Sequence, residues 1–416
     1  MTEHLNAAQL REAFTHFHTP NYAPHGINLV EARGSQAWDN EGKEYIDLAG
    51  GIAVSALGHR HPTLVQAAKD AAEHIWHLSN FWTNESAIRL AKALCEATFA
   101  ERVFFGNSGA EANEAALKLA RKFARETHGE NKFRIVACDN SFHGRTLFTA
   151  SVTGQSKYNN AFAPLPGGIA HTPFNDCDAL ESVLDETCCA FIVEPVQGEG
   201  GVIPINIDFV CLARELCDKH NILLIFDEIQ SGMGRTGSLF AYQGLGVVPD
   251  MLTSAKALGC GLPIGAMLTK EHIATHLTLG SHGSTSGGNP FVTRVAHAAH
   301  TEISQPTLLE RVDELSRMAE KQLERIDQRL GCFREIRCAG LLIGCELAPD
   351  LRARGAAIVS QALTQGVMTL VAAGGDVIRL APALNIPADL LEEGIRRLEL
   401  ALEQIPSAVE ASESRP

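Results

Sequence analysis

The stretch Asn221-Ile-Leu-Leu-Ile-Phe-Asp-Glu228 decides the fold. Five apolar residues in a row end on two acids. The run is too short for a helix and lacks polar alternation, which is the pattern of a strand covered on both faces. A second such run, Met251–Ala255, leads into Lys256 and a loop rich in Gly and Pro, within Thr253-Ser-Ala-Lys-Ala-Leu-Gly-Cys-Gly-Leu-Pro263. Further strand candidates are Arg102–Gly106, Phe133–Cys138, Ala190–Pro195 and Ile264–Thr269. Helical patterns such as Ala110–Arg125 and Asp208–His220 lie between them. Strands alternating with helices predict a mostly parallel sheet with helices on both faces.

The flanks differ. Ala37–Ile46 reads as a hairpin around Asn40-Glu41-Gly42, preceded by a helix near the start. After Pro290 a long helical stretch runs to about Leu330. Strands near Ile336–Leu347 and Val377–Ala381 and further helices follow, a smaller α/β part. The polar tail Ser407–Pro416 is expected to fray.

The chain has 416 residues, 45% hydrophobic and 20% charged, which is ordinary for a globular protein. A net charge of −14 argues against nucleic acid or an anionic membrane as partner. No apolar run approaches the ~20 residues that span a bilayer, and the N-terminus shows no signal peptide. Eleven scattered cysteines without Cys-x-x-Cys predict reduced thiols and a cytoplasmic location. His59-Arg-His61 and His74-Ile-Trp-His77 lack the partners of a zinc site, so no metal is expected. Trp76, Phe81 and Trp82 read as core or dimer-interface aromatics.

Asp227 and Lys256 lie about thirty positions apart, each after a buried strand. A carboxylate that keeps a pyridine nitrogen protonated and an amine that holds an aldehyde are what pyridoxal 5'-phosphate (PLP) chemistry needs. A phosphate site is offered by Phe105-Gly-Asn-Ser-Gly-Ala-Glu-Ala-Asn113, a strand-to-helix joint. Ser108 and Glu111 there fit a capping box, and the first-turn N–H groups make an anion site. Taken alone, this segment reads first as a capped helix without a ligand. Likewise Gly280-Ser-His-Gly-Ser-Thr-Ser-Gly-Gly-Asn-Pro290, taken alone, is a flexible surface loop that could also close over a phosphate.

Six segments, in order, resemble the class III or ω-amino-acid aminotransferases of PLP fold type I. They are Asn107–Asn113, Phe142-His-Gly-Arg145, Glu194-Pro-Val-Gln-Gly-Glu-Gly200, Phe226-Asp-Glu-Ile-Gln230, Gly232-Met-Gly-Arg-Thr-Gly237 and the surroundings of Lys256. Ser108–Lys122, Phe142–Phe148, Tyr22 and Tyr45–Gly58 bring the chain nearest to the acetylornithine and succinylornithine aminotransferases. The resemblance implies a large domain over 61–295, with a mostly parallel seven-stranded sheet between helices. A smaller α/β domain would be built from both chain ends, 1–60 and 296–416.

It also implies a transfer of the δ-amino group of N2-acetylornithine or N2-succinylornithine to 2-oxoglutarate. Lys256 would be the Schiff-base lysine and proton shuttle, Asp227 the partner of the pyridine nitrogen, and Gln230 would lie near the phenolic oxygen. Phe142 would stack on the ring, with His143 beside it in the pocket. Ser108, Gly109 and Ala110 would bind the phosphate, joined by Thr285 of a neighbouring subunit in a homodimer with interface sites. Arg145, helped by Tyr22, would grip the distal carboxylate. Arg379 would take the carboxylate next to the reacting carbon and be released by Glu199, with Ser284 also near the substrate. Cys260 and Ser286 replace a usual glycine and a frequent aromatic, which bears on substrate range. Open alternatives are N-succinyldiaminopimelate, ornithine or 4-aminobutyrate as donor, and a non-transaminating PLP enzyme of the same fold.

Overall fold

A computed structural model describes residues 5–405 of the chain; the tail Ser407–Pro416 lies outside the described residues. At its centre is a seven-stranded sheet. The strand order is Arg102–Gly106, Gly265–Thr269, Met251–Ser254, Leu223–Asp227, Cys188–Val193, Arg134–Cys138 and Ile169–Thr172. The last five run parallel, whereas Gly265–Thr269 is antiparallel to both of its neighbours. Cys188–Val193 and Leu223–Asp227 are buried at every residue, so an unbroken apolar run was the correct signature. Ile169–Thr172 escaped detection because it is a half-exposed edge strand of four residues.

Helix Gly109–His128 packs one face on this sheet through Ala112, Ala116, Leu119 and Ala120. Helix Ile207–His220 ends at Asn221, whose left-handed backbone turns the chain into the strand carrying Asp227. The helical stretch after Pro290 is two helices, Pro290–Ile303 and Pro306–Leu330. Pro306 has no N–H to continue the first helix, and it biases Gln305 away from helical geometry, so Pro306 begins a new one.

The smaller part unites the chain ends. Gln36–Asp39 and Glu44–Asp47 form the expected hairpin, with Gly42 at φ +82° in its turn. Glu44–Asp47 then pairs in parallel with Val367–Met368, joining positions more than three hundred residues apart. An antiparallel sheet of Phe333–Ala339, Leu342–Leu347, Val377–Leu380 and Leu370–Ala372 carries Arg379. No helix among the described residues is long and apolar enough to cross a membrane.

Candidate active site

Ligands of parallel α/β sheets gather beyond the carboxyl ends of the strands. Here a cavity of about 410 Å³ opens at that edge. Asp227 closes Leu223–Asp227, Lys256 follows Met251–Ser254, Glu194 follows Cys188–Val193, and Phe142 lies in the loop after Arg134–Cys138. Sequence-distant groups therefore converge because their strands are neighbours.

Asp227 is buried. Its Oδ2 accepts from Asn113 Nδ2 at 2.8 Å and faces His143 Nδ1 at 2.7 Å, while Oδ1 accepts from the N–H of Ile229 at 3.1 Å. A carboxylate has about four acceptor positions, which leaves capacity for one donor in the cavity. The imidazole of His143 is also buried. Burial opposes its protonation, yet the hydrogen bond and charge of Asp227, with Glu194 behind, hold its pKa above the ordinary value.

Lys256 starts a short turn, with its backbone at φ +45°. Its amine pKa is lowered to about 8, first by burial and then by the charge of Arg379; Glu199, Asp227 and Glu194 pull the other way. An amine in this range supplies a neutral nucleophile near neutrality. Glu194 receives the N–H of Phe142 at 3.0 Å. Burial pushes its carboxyl up to about 8, although His143 and Lys256 pull it down.

The phosphate cradle differs in detail from the capping box expected. Ser108 does cap the helix, its Oγ accepting the N–H of Glu111 at 3.2 Å. Glu111, however, reaches back one residue further and accepts from both the backbone and side-chain nitrogens of Asn107, each at 2.9 Å. The N–H groups of Gly109 and Ala110, in the first helical turn, have no partner within the helix and line the cavity. A Cβ on Gly109 would stand 2.7 Å from Ile229 Cδ1, so glycine is what lets the cradle sit this close.

These groups fit PLP: N–H donors for its phosphate, the Phe142 ring for its plane, a carboxylate with a vacant acceptor position for its nitrogen, and an amine for its aldehyde.

On the substrate side, Arg379 is buried. Its Nη1 lies 2.6 Å from Glu199 Oε1 and 3.1 Å from Gln230 Oε1. Gly198 makes room for Gln230, because a Cβ there would fall 1.9 Å from Gln230 Oε1. Arg145 is exposed at the cavity mouth, its guanidinium 4.0 Å from the ring centre of Tyr158 and 5.4 Å from that of Phe142. It makes no ion pair among the described residues.

Four predicted residues do not line this cavity: Arg379, which meets it through Glu199 and Gln230, and Tyr22, Ser284 and Thr285. Tyr22 is exposed. Ser284 and Thr285 line a separate cavity with Asn80 and Phe81. The Ser284 hydroxyl accepts from Asn107 Nδ2 at 3.1 Å and from the N–H of Gly287 at 2.9 Å, so it ties its loop to the cradle. Trp76, Phe81 and Trp82 are not core; all three are exposed. Cys260 has φ +45°, a backbone region that favours the glycine it replaces. Four residues carry more of the site than the motifs disclosed: Glu194, Asn113, Thr253 and Tyr158. The first three lay inside quoted segments; Tyr158 had no local signal.

Residues 17–402 match the family model described as Aminotransferase class-III. The chain belongs to the class III aminotransferases, which are PLP-dependent enzymes. It is 51% identical, over 96% of its length and 98% of the relative's, to a succinylornithine transaminase/acetylornithine aminotransferase of Pseudomonas aeruginosa. It is 52% identical to a succinylornithine transaminase of Salmonella typhimurium, covering 96% and 98% of the two chains. Among solved structures, it resembles the N-acetylornithine aminotransferase of Stenotrophomonas maltophilia, with a TM-score of 0.82, 39% identity and coverage of 96% and 99%. It also resembles the ornithine aminotransferase of Toxoplasma gondii, with a TM-score of 0.92, 31% identity and coverage of 99% and 97%.

Proposed function

We propose that this enzyme moves the δ-amino group of N2-acetylornithine or N2-succinylornithine to 2-oxoglutarate, giving the N-acyl glutamate semialdehyde and glutamate. The observation that carries this is the 2.6 Å pair of Glu199 and Arg379 beside Lys256. Glutamate has a carboxylate on its reacting carbon and the acylornithine δ-carbon has none. A guanidinium that can be paired internally or released suits both. The activities named for the Pseudomonas and Salmonella relatives support the same reading.

When bound, PLP supplies an aldehyde that exchanges amines and a ring that draws electrons from the carbon next to nitrogen. Ser108, Gly109 and Ala110 would hold its phosphate, and the N–H groups and helix dipole favour that charge. Phe142 would cover the ring, Asp227 would hold the proton on the ring nitrogen, and Gln230 would approach the phenolic oxygen. Lys256 Nζ would hold the aldehyde carbon until substrate arrives. Nζ would then serve as the proton shuttle of the 1,3-transfer. Arg145 would grip the far carboxylate in a bidentate fork, which lysine cannot reproduce.

We assign a homodimer with sites at its interface. The exposed aromatics Trp76, Phe81 and Trp82 support this, as does the position of Thr285 outside the cavity of its own chain. In this reading Thr285 serves the neighbouring subunit's phosphate, and residues 61–295 make the large domain. Eleven free thiols suit the reducing cytoplasm.

The test is a donor panel against 2-oxoglutarate: N-acetylornithine, N-succinylornithine, ornithine, 4-aminobutyrate and N-succinyldiaminopimelate. Glutamate should form fastest with an acylornithine. Preference for 4-aminobutyrate or plain ornithine would overturn the assignment while leaving the reaction class intact.

A further inference from the structure

Asn113 has no exposed surface and does not line the active-site cavity. Its side chain nonetheless meets three polar groups. Nδ2 donates to Asp227 Oδ2 and to the carbonyl of His143, both at 2.8 Å. Oδ1 accepts from the hydroxyl of Thr253 at 2.7 Å. Thr253 is fully buried, and its backbone lies opposite Asp227 in the parallel pair of strands.

The orientation of the amide is forced. A flipped Asn113 would turn its oxygen toward a carboxylate and a carbonyl, two acceptors with nothing to donate. The Thr253 hydroxyl completes the arrangement by satisfying the oxygen on the far side. Deleting that hydroxyl would leave a buried acceptor unpaired. Asp227 is thus held from behind, by a helix residue that is itself held by the next strand.

We propose that Asn113 and Thr253 are positioning residues which together fix the Asp227 carboxylate against the ring nitrogen of PLP. This rests on the role given to Asp227 above. Thr253 acts only through Asn113, so their effects form one unit. Asp227 serves the ring in both half-reactions, so the relay affects the two halves equally. A residue that grips a carboxylate only one substrate carries, as Arg379 does for glutamate, affects KM for that partner.

The experiment compares purified Asn113→Ala, Thr253→Val, Thr253→Ser, the Asn113→Ala/Thr253→Val double variant and Asp227→Ala. Readouts are kcat/KM of each half-reaction by stopped flow, the visible spectrum of the holoenzyme, and the PLP dissociation constant on reconstituting apoenzyme. Asn113→Ala should lower both half-reactions by about tenfold, shift the spectrum and weaken PLP binding. Thr253→Val should do the same to a smaller degree. Thr253→Ser keeps the hydroxyl and should restore parental values. The double variant should match Asn113→Ala alone. Additive losses, or a Thr253→Ser variant as impaired as Thr253→Val, would overturn the relay. So would parental kinetics and spectra in Asn113→Ala and Thr253→Val while Asp227→Ala is impaired. Parental behaviour of Asp227→Ala would instead remove the role of Asp227 itself, and the relay with it.

Discussion

Nη1 of Arg379 lies 2.6 Å from Oε1 of Glu199, and this contact holds a buried guanidinium beside the lysine amine. Arg379 stands in the middle of an antiparallel sheet, opposite Gly344 and Leu370. Glu199 comes from a loop of the large part, and its own carbonyl accepts the N–H of Ala373. The pair therefore spans the two parts of the molecule. Glu199→Ala frees Arg379 for an incoming α-carboxylate. We expect kcat/KM for short α-amino acids to rise relative to acylornithine by about tenfold, about 1.4 kcal/mol. An unchanged ratio in a side-by-side donor assay would reject the switch.

Arg145 rests on the face of Tyr158 with no acidic partner among the described residues. Arg145→Ala should raise KM for 2-oxoglutarate by about ten- to a hundredfold, since a charged hydrogen bond contributes about 1.5–3 kcal/mol. Arg145→Lys should recover little, because a point charge cannot grip a carboxylate as a planar fork does. Steady-state titration of 2-oxoglutarate checks this, and full recovery by lysine would exclude bidentate recognition.

Burial, and after it the charge of Arg379, lowers the amine pKa of Lys256 to about 8. Only the neutral amine attacks an aldehyde, so the rate at which apoenzyme captures PLP should rise with pH through about 8. Arg379→Ala removes a cation that lowers the pKa and should move the midpoint upward. Glu199→Gln removes an anion that raises it and should move the midpoint downward. Stopped-flow absorbance across pH 6–10 reads both shifts. Lys256→Ala should show no hydride-trapped adduct at position 256 by mass spectrometry.

Glu228, next to Asp227, is buried and accepts the N–H groups of Ala241 and Tyr242. Burial pushes its carboxyl up to about 7. The folded chain keeps a proton there that the unfolded chain releases above its ordinary value near 4.5. This contribution to stability is complete below about 4.5 and drains away as pH rises to about 7. Glu228→Gln should flatten the pH dependence of Tm across that window, as measured by calorimetry. An unaltered slope would place the titration elsewhere.

Phe81 is 95% exposed, and Trp76 and Trp82 are 63% and 67% exposed. Such area is costly to leave in water, at about 25 cal/mol per Å². Phe81→Asp should shift the enzyme from dimer toward monomer in light scattering and lower PLP retention with it, because Thr285 would no longer reach the partner's site. A dimer of parental stability would move the interface to another face.

Much of the site was legible because it lies in contiguous runs. Asp227 ends one strand buried on both faces and Lys256 closely follows another, and buried strands of this kind leave a mark in contiguous sequence. Ser108 announces the helix it caps. Other features had no local signature. Asn113 and Thr253 stand 140 positions apart and touch only because a helix crosses two adjacent strands. Glu194 lies in a quoted motif, yet its contact with the N–H of Phe142 needs the sheet order to be known. The break before Pro306 was readable in principle, since proline cannot continue a helix across its own nitrogen.

The sequence alone settled six of the seven strands of the central sheet, which of them lead into an acid or an amine, and that the chemistry is that of an aldehyde cofactor. Folding in three dimensions decided the rest. It placed Arg379 against Glu199, left Arg145 free at the mouth, and kept Ser284 and Thr285 out of their own cavity. The reason is physical: strand-forming and capping preferences are local and survive in one dimension, whereas pairing of charges and donors depends on which distant segments the sheet makes neighbours.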